Sequence, residues 1–189
     1  EVLVMDGVGL AVGGAVIRES SEVAAVGSLS GETWSHFDHL GVNNSGEWSV
    51  AARTFVGSTP YSLLLEEGDI SYRSGDTIGE HVLGDTILGM AMNNDGDIVH
   101  AWRLNGLAGE ALFLNDLPIL QRGDVVDLDG NGSIDENYVV SELSRLGAVT
   151  IADRTAGTLP SVYVHVIATL TDTDTNDEAE AVLRPDVRP

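Results

Sequence analysis

An asparagine-rich block that recurs at a fixed interval constrains this chain more than any other feature. Asn43-Asn44-Ser45-Gly46-Glu47 is followed fifty residues later by Asn93-Asn94-Asp95-Gly96-Asp97. Asn43, Asn44, Gly46, Ala51 and Arg53 return as Asn93, Asn94, Gly96, Ala101 and Arg103. The stretch after each block returns too. Leu63-Leu64-Leu65 leads to Ser74-Gly75-Asp76-Thr77-Ile78, and Ala111-Leu112-Phe113 leads to Arg122-Gly123-Asp124-Val125-Val126. The start of the chain follows that second half, with Val2-Leu3-Val4 leading to Val12-Gly13-Gly14-Ala15-Val16. Such a period means one supersecondary unit, repeated, burying its apolar surface against its neighbours.

Each unit reads as four short strands. A first strand, Leu40 to Asn43 or Leu88 to Met92, ends in Asn-Asn-x-Gly, which supplies the positive φ of a tight hairpin. The second alternates, with Trp48, Val50 and Ala52 on one face and Ser49, Ala51 and Arg53 on the other. The third is Tyr61 to Leu65 and the fourth Ile70 to Tyr72. The expected fold is all-β, built of tandem four-stranded antiparallel units, either propeller-like or stacked modules. An ordinary β-sandwich is the alternative. The chain is read as one β-repeat domain, with units at 1–36 (partial), 37–80, 81–135 and 136–189 (divergent). In the last unit, Ser161 to Leu170 is the clearest strand, with β-branched residues at alternate positions. One amphipathic helix is expected at Glu136 to Leu146, with Val139, Val140, Leu143 and Leu146 on one side.

The pattern of an apolar strand, Asn-Asn-x-Gly-(Asp/Glu), an alternating strand, and Gly-Asp-(Thr/Val)-(Ile/Val) resembles the tandem β-repeats of secreted bacterial propeller-like proteins. The resemblance spans Leu40 to Val126. It implies an exported β-protein, often attached to the cell surface, and no catalytic residues.

Charge narrows the function classes. The 189 residues carry thirty acidic and nine basic side chains, a formal charge of −21, with every basic residue an arginine. Such a chain repels phosphate backbones and anionic bilayers, so nucleic-acid partners and membrane surfaces are disfavoured. No run approaches the roughly 18 apolar residues of a membrane helix. The chain has no cysteine, so disulfides and thiolate chemistry are absent. Glu1 to Asp6 lack the basic start and apolar run of a signal peptide. An extracellular or cell-surface location, with a leader removed, is the expectation.

The chemistry that the residues support best is calcium binding. Asp127-Leu128-Asp129-Gly130-Asn131-Gly132-Ser133-Ile134-Asp135, followed by Glu136, is similar to the first nine positions of an EF-hand or dockerin loop. Asp127, Asp129 and Asn131 alternate so that three side-chain oxygens turn inward, Gly132 permits the sharp turn, and Ser133 offers its carbonyl. The twelfth position is Tyr138 where a bidentate Glu is expected. Asp135 or Glu136 substitutes, or another segment supplies the carboxylate. A second acidic run, Asp172 to Glu180, reads as a solvated loop.

Catalytic motifs are missing. There is no G-x-S-x-G, P-loop or H-E-x-x-H, and Gly7 to Gly13 has the wrong spacing for a dinucleotide loop. His36 and His39 flank Asp38 with no third ligand in view. Trp34, Trp48 and Trp102 offer a sugar platform only if exposed, and the alternating strands of Trp48 and Trp102 favour the core. The chain is therefore read as a non-enzymatic structural protein. Counting strands leaves incomplete units at both ends, and exposed edges recruit other strands, so a homo-oligomer or homopolymer, such as a filament, is expected. Glycans are a further partner class. The alternatives are a carbohydrate-binding or adhesive module, and a propeller-fold hydrolase.

Overall fold

The computed structural model describes residues 4–5, 9–12, 15–106, 109–129, 133, 137–143, 148–154 and 162–185. They form an all-β protein with no helix among them. β1 (Val4–Met5), β2 (Gly9–Val12) and β3 (Ala15–Arg18) make a small antiparallel sheet. β4 (Glu32–Val42), β5 (Trp48–Val56), β6 (Thr59–Glu66) and β7 (Asp69–Arg73) form a four-stranded meander, the first full sheet. The second full sheet contains β8 (Thr77–Ile78), β9 (His81–Met92), β10 (Ile98–Leu104), β11 (Glu110–Leu114) and β12 (Leu117–Gln121), in that spatial order. In the third, β13 (Tyr138–Leu143) and β14 (Val149–Ile151) follow one another along one edge of β15 (Val164–Asp172), while β16 (Glu178–Leu183) pairs with the other edge.

The Asn-Asn-x-Gly blocks make the hairpins that the sequence predicts. The Asn43 side-chain carbonyl accepts the N–H groups of Ser45 and Glu47, both at 3.0 Å. Asn93 does the same for Asp95 at 3.0 Å and Asp97 at 2.8 Å. Gly46 and Gly96 follow at φ +87° and +83°, a conformation that costs a residue with a Cβ about 1 kcal/mol or more.

The clean in-and-out alternation expected of β5 is absent. Ser49, Val50, Ala51 and Ala52 are all buried, because the sheet is covered on both faces. Val50, Ala52, Leu63 and Leu65 join a core with Trp34, Phe37 and Val23. Ala51 and Leu64, on the other face, pack with Trp102, Ala111 and Phe113 of the second sheet. The opposite face of that sheet, through Val99, Ala101 and Leu112, meets Val140, Val164 and Val166 of the third. The full sheets are thus layered, and equivalent residues, Ala51 with Ala101 and Leu64 with Leu112, face the following unit.

Where a helix is expected at Glu136 to Leu146, the described residues Tyr138–Leu143 are instead strand β13, paired with β15. Helical spacing misleads here for a definable reason. A bulge lies between Val140 and Glu142, and the extra residue turns Leu143 to the same face as Val140, three positions earlier. Both are buried in the same core. The same geometry in β4 brings Trp34 and Phe37 together, ring centroids 5.3 Å apart, across a register shift between Trp34 and His36. The first strands are consequently longer than the sequence suggests: bulges scramble their alternation, so only the last few residues read as strand.

Within the first full sheet a buried ion pair joins β4 to β7. The Arg73 guanidinium donates to Glu32 at 3.0 Å, and Thr54 and the Leu29 N–H complete the carboxylate's partners. Burial alone would raise the Glu32 carboxyl, but these hydrogen bonds outweigh it and hold it below the usual range.

Close backbone approach at the β9 bulge gives a first prediction. A Cβ on Gly84 would lie 2.6 Å from the Arg103 carbonyl oxygen. Gly84→Ala is expected to destabilise the fold by about 1–3 kcal/mol, read from urea denaturation, whereas Gly46→Asn at an open turn position should be far milder.

Candidate functional site

The recurring turns do more than close hairpins: they connect the units. The Asn44 N–H donates to the Asn94 side chain at 2.9 Å. The Asn94 N–H in turn donates to the Asp153 carboxylate at 2.7 Å, and the Asn94 amide donates to its other oxygen at 2.8 Å. Asn44, Asn94 and Asp153 are therefore successive rungs, one per full sheet. Asp153 follows β14 just as Asn94 follows β9, so the divergent third unit keeps the rung while losing the Asn-Asn-x-Gly motif. Arg154 then closes the second junction. Its N–H donates to Asp95 at 2.6 Å, and its guanidinium forks onto Asp97 at 2.8 and 2.5 Å. The Arg154 bonds, reinforced by Asn93 and Asn115, hold the buried Asp97 carboxyl below its ordinary range.

Asn43 is buried, and its amide donates to Glu47.

The tryptophans sit where the alternation argument put them. Trp34 and Trp102 are buried and Trp48 is half-buried, so they make no exposed stacking platform. Trp102 instead fixes a histidine. Its indole N–H donates to His100 Nδ1 at 2.9 Å, which leaves Nε2 to donate to the Asn115 carbonyl at 3.0 Å. His100 stacks between Phe113 and Tyr72, and Tyr72 donates to Asp116. Both ring nitrogens are thus committed to the neutral tautomer, and burial pushes His100 down to about 4.

Two adjoining cavities open at the junctions between the full sheets. The first, about 300 Å³, lies between the first and second sheets and includes Asp38, His39, Arg53, Thr86 and Arg103. The second, about 420 Å³, lies between the second and third and includes Arg103, Arg122, Ser141, Glu142 and Glu178. Arg103 is common to both. Each is bordered by bulged first strands, and the register shifts make Asp38, Leu88 and Ser141 the extra residues that turn toward these spaces. His36 Nε2 lies 3.2 Å from Asp38, and its Nδ1 meets the Ser35 hydroxyl at 3.0 Å. Asp38, the carboxylate of this hydroxyl–imidazole–carboxylate chain, lines the first cavity. Burial keeps His39 below the usual imidazole range.

The sequence-predicted calcium residues divide. Asp127 is half-buried, and Asp129 and Ser133 are exposed, on the connection from β12 to β13. Asn131, Asp135 and Glu136 lie outside the described residues. Among the described residues no group of three acidic, histidine or cysteine side chains is poised for a metal. The fold does bring the second acidic run to the foot of this connection. Its base is closed by the Val126 N–H on the Tyr138 carbonyl, the Thr173 N–H donates to the Asn137 carbonyl, and the Asn137 amide donates to Asp174. Sequence reading treated the two acidic segments separately, because 37 residues part Asn137 from Asp174. No described helix is long and apolar enough to cross a membrane.

Compared with known proteins, the chain matches no family model, no curated protein and no solved structure.

Two outcomes follow from this geometry. Asp153→Ala removes both oxygens that anchor Asn94 and should weaken the second junction. It is expected to lower the melting temperature, and Asp153→Asn, which keeps an acceptor, should recover part of the loss. For His100, the unfolded value near 6.5 and the folded value of about 4 set the window. Stability is full above pH 6.5 and falls as acid protonates only the unfolded chain, by about 3 kcal/mol at pH 4. Denaturation of the wild type and His100→Asn from pH 7 to pH 4 should show a shallower slope for the variant.

Proposed function

We propose that the chain is a structural protein of an extracellular or cell-surface assembly, associating with copies of itself through an open strand edge and stabilised by calcium. The observation that carries this reading is the outer edge of β16. In the first two full sheets, the third strand of the unit, β6 or β11, is covered by a fourth, β7 or β12. β16 occupies the third-strand position and has β15 on one side only among the described residues. Val182 on it is 68% exposed. Bare edges pair with other strands, and Glu178 and Glu180 guard this one against indiscriminate pairing. The resemblance to secreted bacterial propeller-like repeat proteins supports the same reading.

Calcium would add a cross-link that a cysteine-free chain otherwise lacks. Asp127 and Asp129 are hard oxygen donors, with Asn131, Ser133, Asp135 and Glu136 completing the loop. Asp174, held at Asn137, stands beside the position where the loop lacks its twelfth-residue carboxylate. The residues fit calcium in donor chemistry; bound there, the ion would neutralise part of the negative charge and tie the β12–β13 connection to the β15–β16 loop.

Light scattering coupled to size exclusion, with negative-stain microscopy, tests the assembly. Oligomers or filaments are expected in millimolar calcium, and Val182→Pro on β16, whose N–H faces away from β15, should reduce them without lowering the melting temperature much. A monodisperse monomer at high concentration, with and without calcium, would overturn the assembly. Calcium itself is read from thermal melting: a rise with calcium, reversed by chelator and abolished in Asp127→Asn/Asp129→Asn, is the expected result.

A further inference from the structure

We propose that the two cavities sharing Arg103 form one groove that binds an acidic saccharide, with the arginines taking its carboxylate. The inference is independent of the assembly reading and rests on where the scarce positive charge lies. The chain has only nine arginines against thirty acidic residues. Two of them, Arg73 and Arg154, are consumed in ion pairs with Glu32 and Asp97. Arg53, ion-paired at 4.0 Å with Asp38, borders the groove together with Arg103 and Arg122. Arg53 and Arg103 are equivalent positions of the repeat, so the same charge is presented at successive units.

The Arg53 Nε is buried and has no hydrogen-bond partner, and its closest carboxylate, Asp38, stands 4.0 Å away. Arg103 and Arg122 are exposed. A buried donor without an acceptor is costly and calls for an explanation. A ligand oxygen within the cavity would supply that acceptor. The Arg122 stem is itself set in place by the backbone. It lies over Gly109, where an added Cβ would fall 2.7 Å from its Cδ.

The rest of the lining selects the ligand class. Asp38, Glu142 and Glu178 are acceptors, and Thr86, Ser141 and Thr169 carry hydroxyls. A bare phosphate or sulfate would meet the arginines but offers these carboxylates no donor. Sugar hydroxyls donate and accept, so they suit a wall of alternating carboxylates and guanidiniums. A uronic carboxylate on the same ring gives Arg103 a planar partner for its two-pronged donors. The volumes of about 300 and 420 Å³ lie at the small end of the range for ligand sites, roughly 300–1,000 Å³. With Trp34 and Trp102 buried in the core, recognition would run through hydrogen bonds to the ring's edge.

The test is a calorimetric or NMR titration of the full chain with sodium digalacturonate, a neutral disaccharide such as lactose, and short polyglutamate. Saturable binding of digalacturonate is expected, at least tenfold tighter than lactose. Arg103→Gln should weaken it at least tenfold and Arg53→Gln several-fold, with melting temperatures unchanged. Arg122→Gln, at an exposed position, is the second variant if either of the others melts early. Absence of digalacturonate binding at about 20 mM, equal binding of polyglutamate, or unaltered binding by well-folded Arg103→Gln and Arg122→Gln would each overturn the proposal.

Discussion

Two backbone N–H groups captured by one asparagine carbonyl underlie the organisation of this protein. At Asn43 and again at Asn93, the side chain stands in for a strand partner and folds the next four residues into a turn of fixed shape. Fixed shape is what makes the turns stackable. Because each turn is rigid, its second residue can reach the corresponding residue one unit on, and the Asn44–Asn94–Asp153 series results. The layering of the full sheets depends on that register: it sets Ala51 and Leu64 against Trp102 and Phe113. A shift by one residue would turn polar faces inward.

Bulges in the first strands are the second organising element. They let β4, β9 and β13 carry apolar residues three apart on one face while turning Asp38 and Ser141 toward the junctions. Cavities bordered by charged groups form where two flat sheets would otherwise close. Acidity has a corresponding division of labour. Glu32 and Asp97 are buried and paired with arginine inside the fold. Most other carboxylates among the described residues are exposed, where hydration and mutual repulsion favour solubility.

The repeat, the strand-rich class and the hairpin turns were legible from spacing and from Asn and Gly chemistry, since these are local. The helix expected at Glu136 to Leu146 was misread because a bulged strand imitates helical periodicity over three residues, and no single-sequence pattern separates the two. The long first strands were underestimated for the same reason. Of the candidate calcium residues, only Asp127, Asp129 and Ser133 fall among the described residues, and their relation to Asp174 was invisible in sequence because strand pairing across β13 and β15 creates it. Arg53 and Arg103 were visible as repeated positions. The buried, unpartnered Arg53 Nε was not, because an arginine's partners depend on what the neighbouring sheet presents.

By itself, then, the sequence determined the unit: its turns, the order of its strands and the identity of its recurring side chains, all of which follow from φ preferences and short-range hydrogen bonding. Tertiary structure alone decided which units touch, which faces are covered twice, and that Asp153 takes the place of an asparagine fifty-nine residues from Asn94. Those outcomes depend on contacts between distant segments, whose free energy exists only once the sheets have come together.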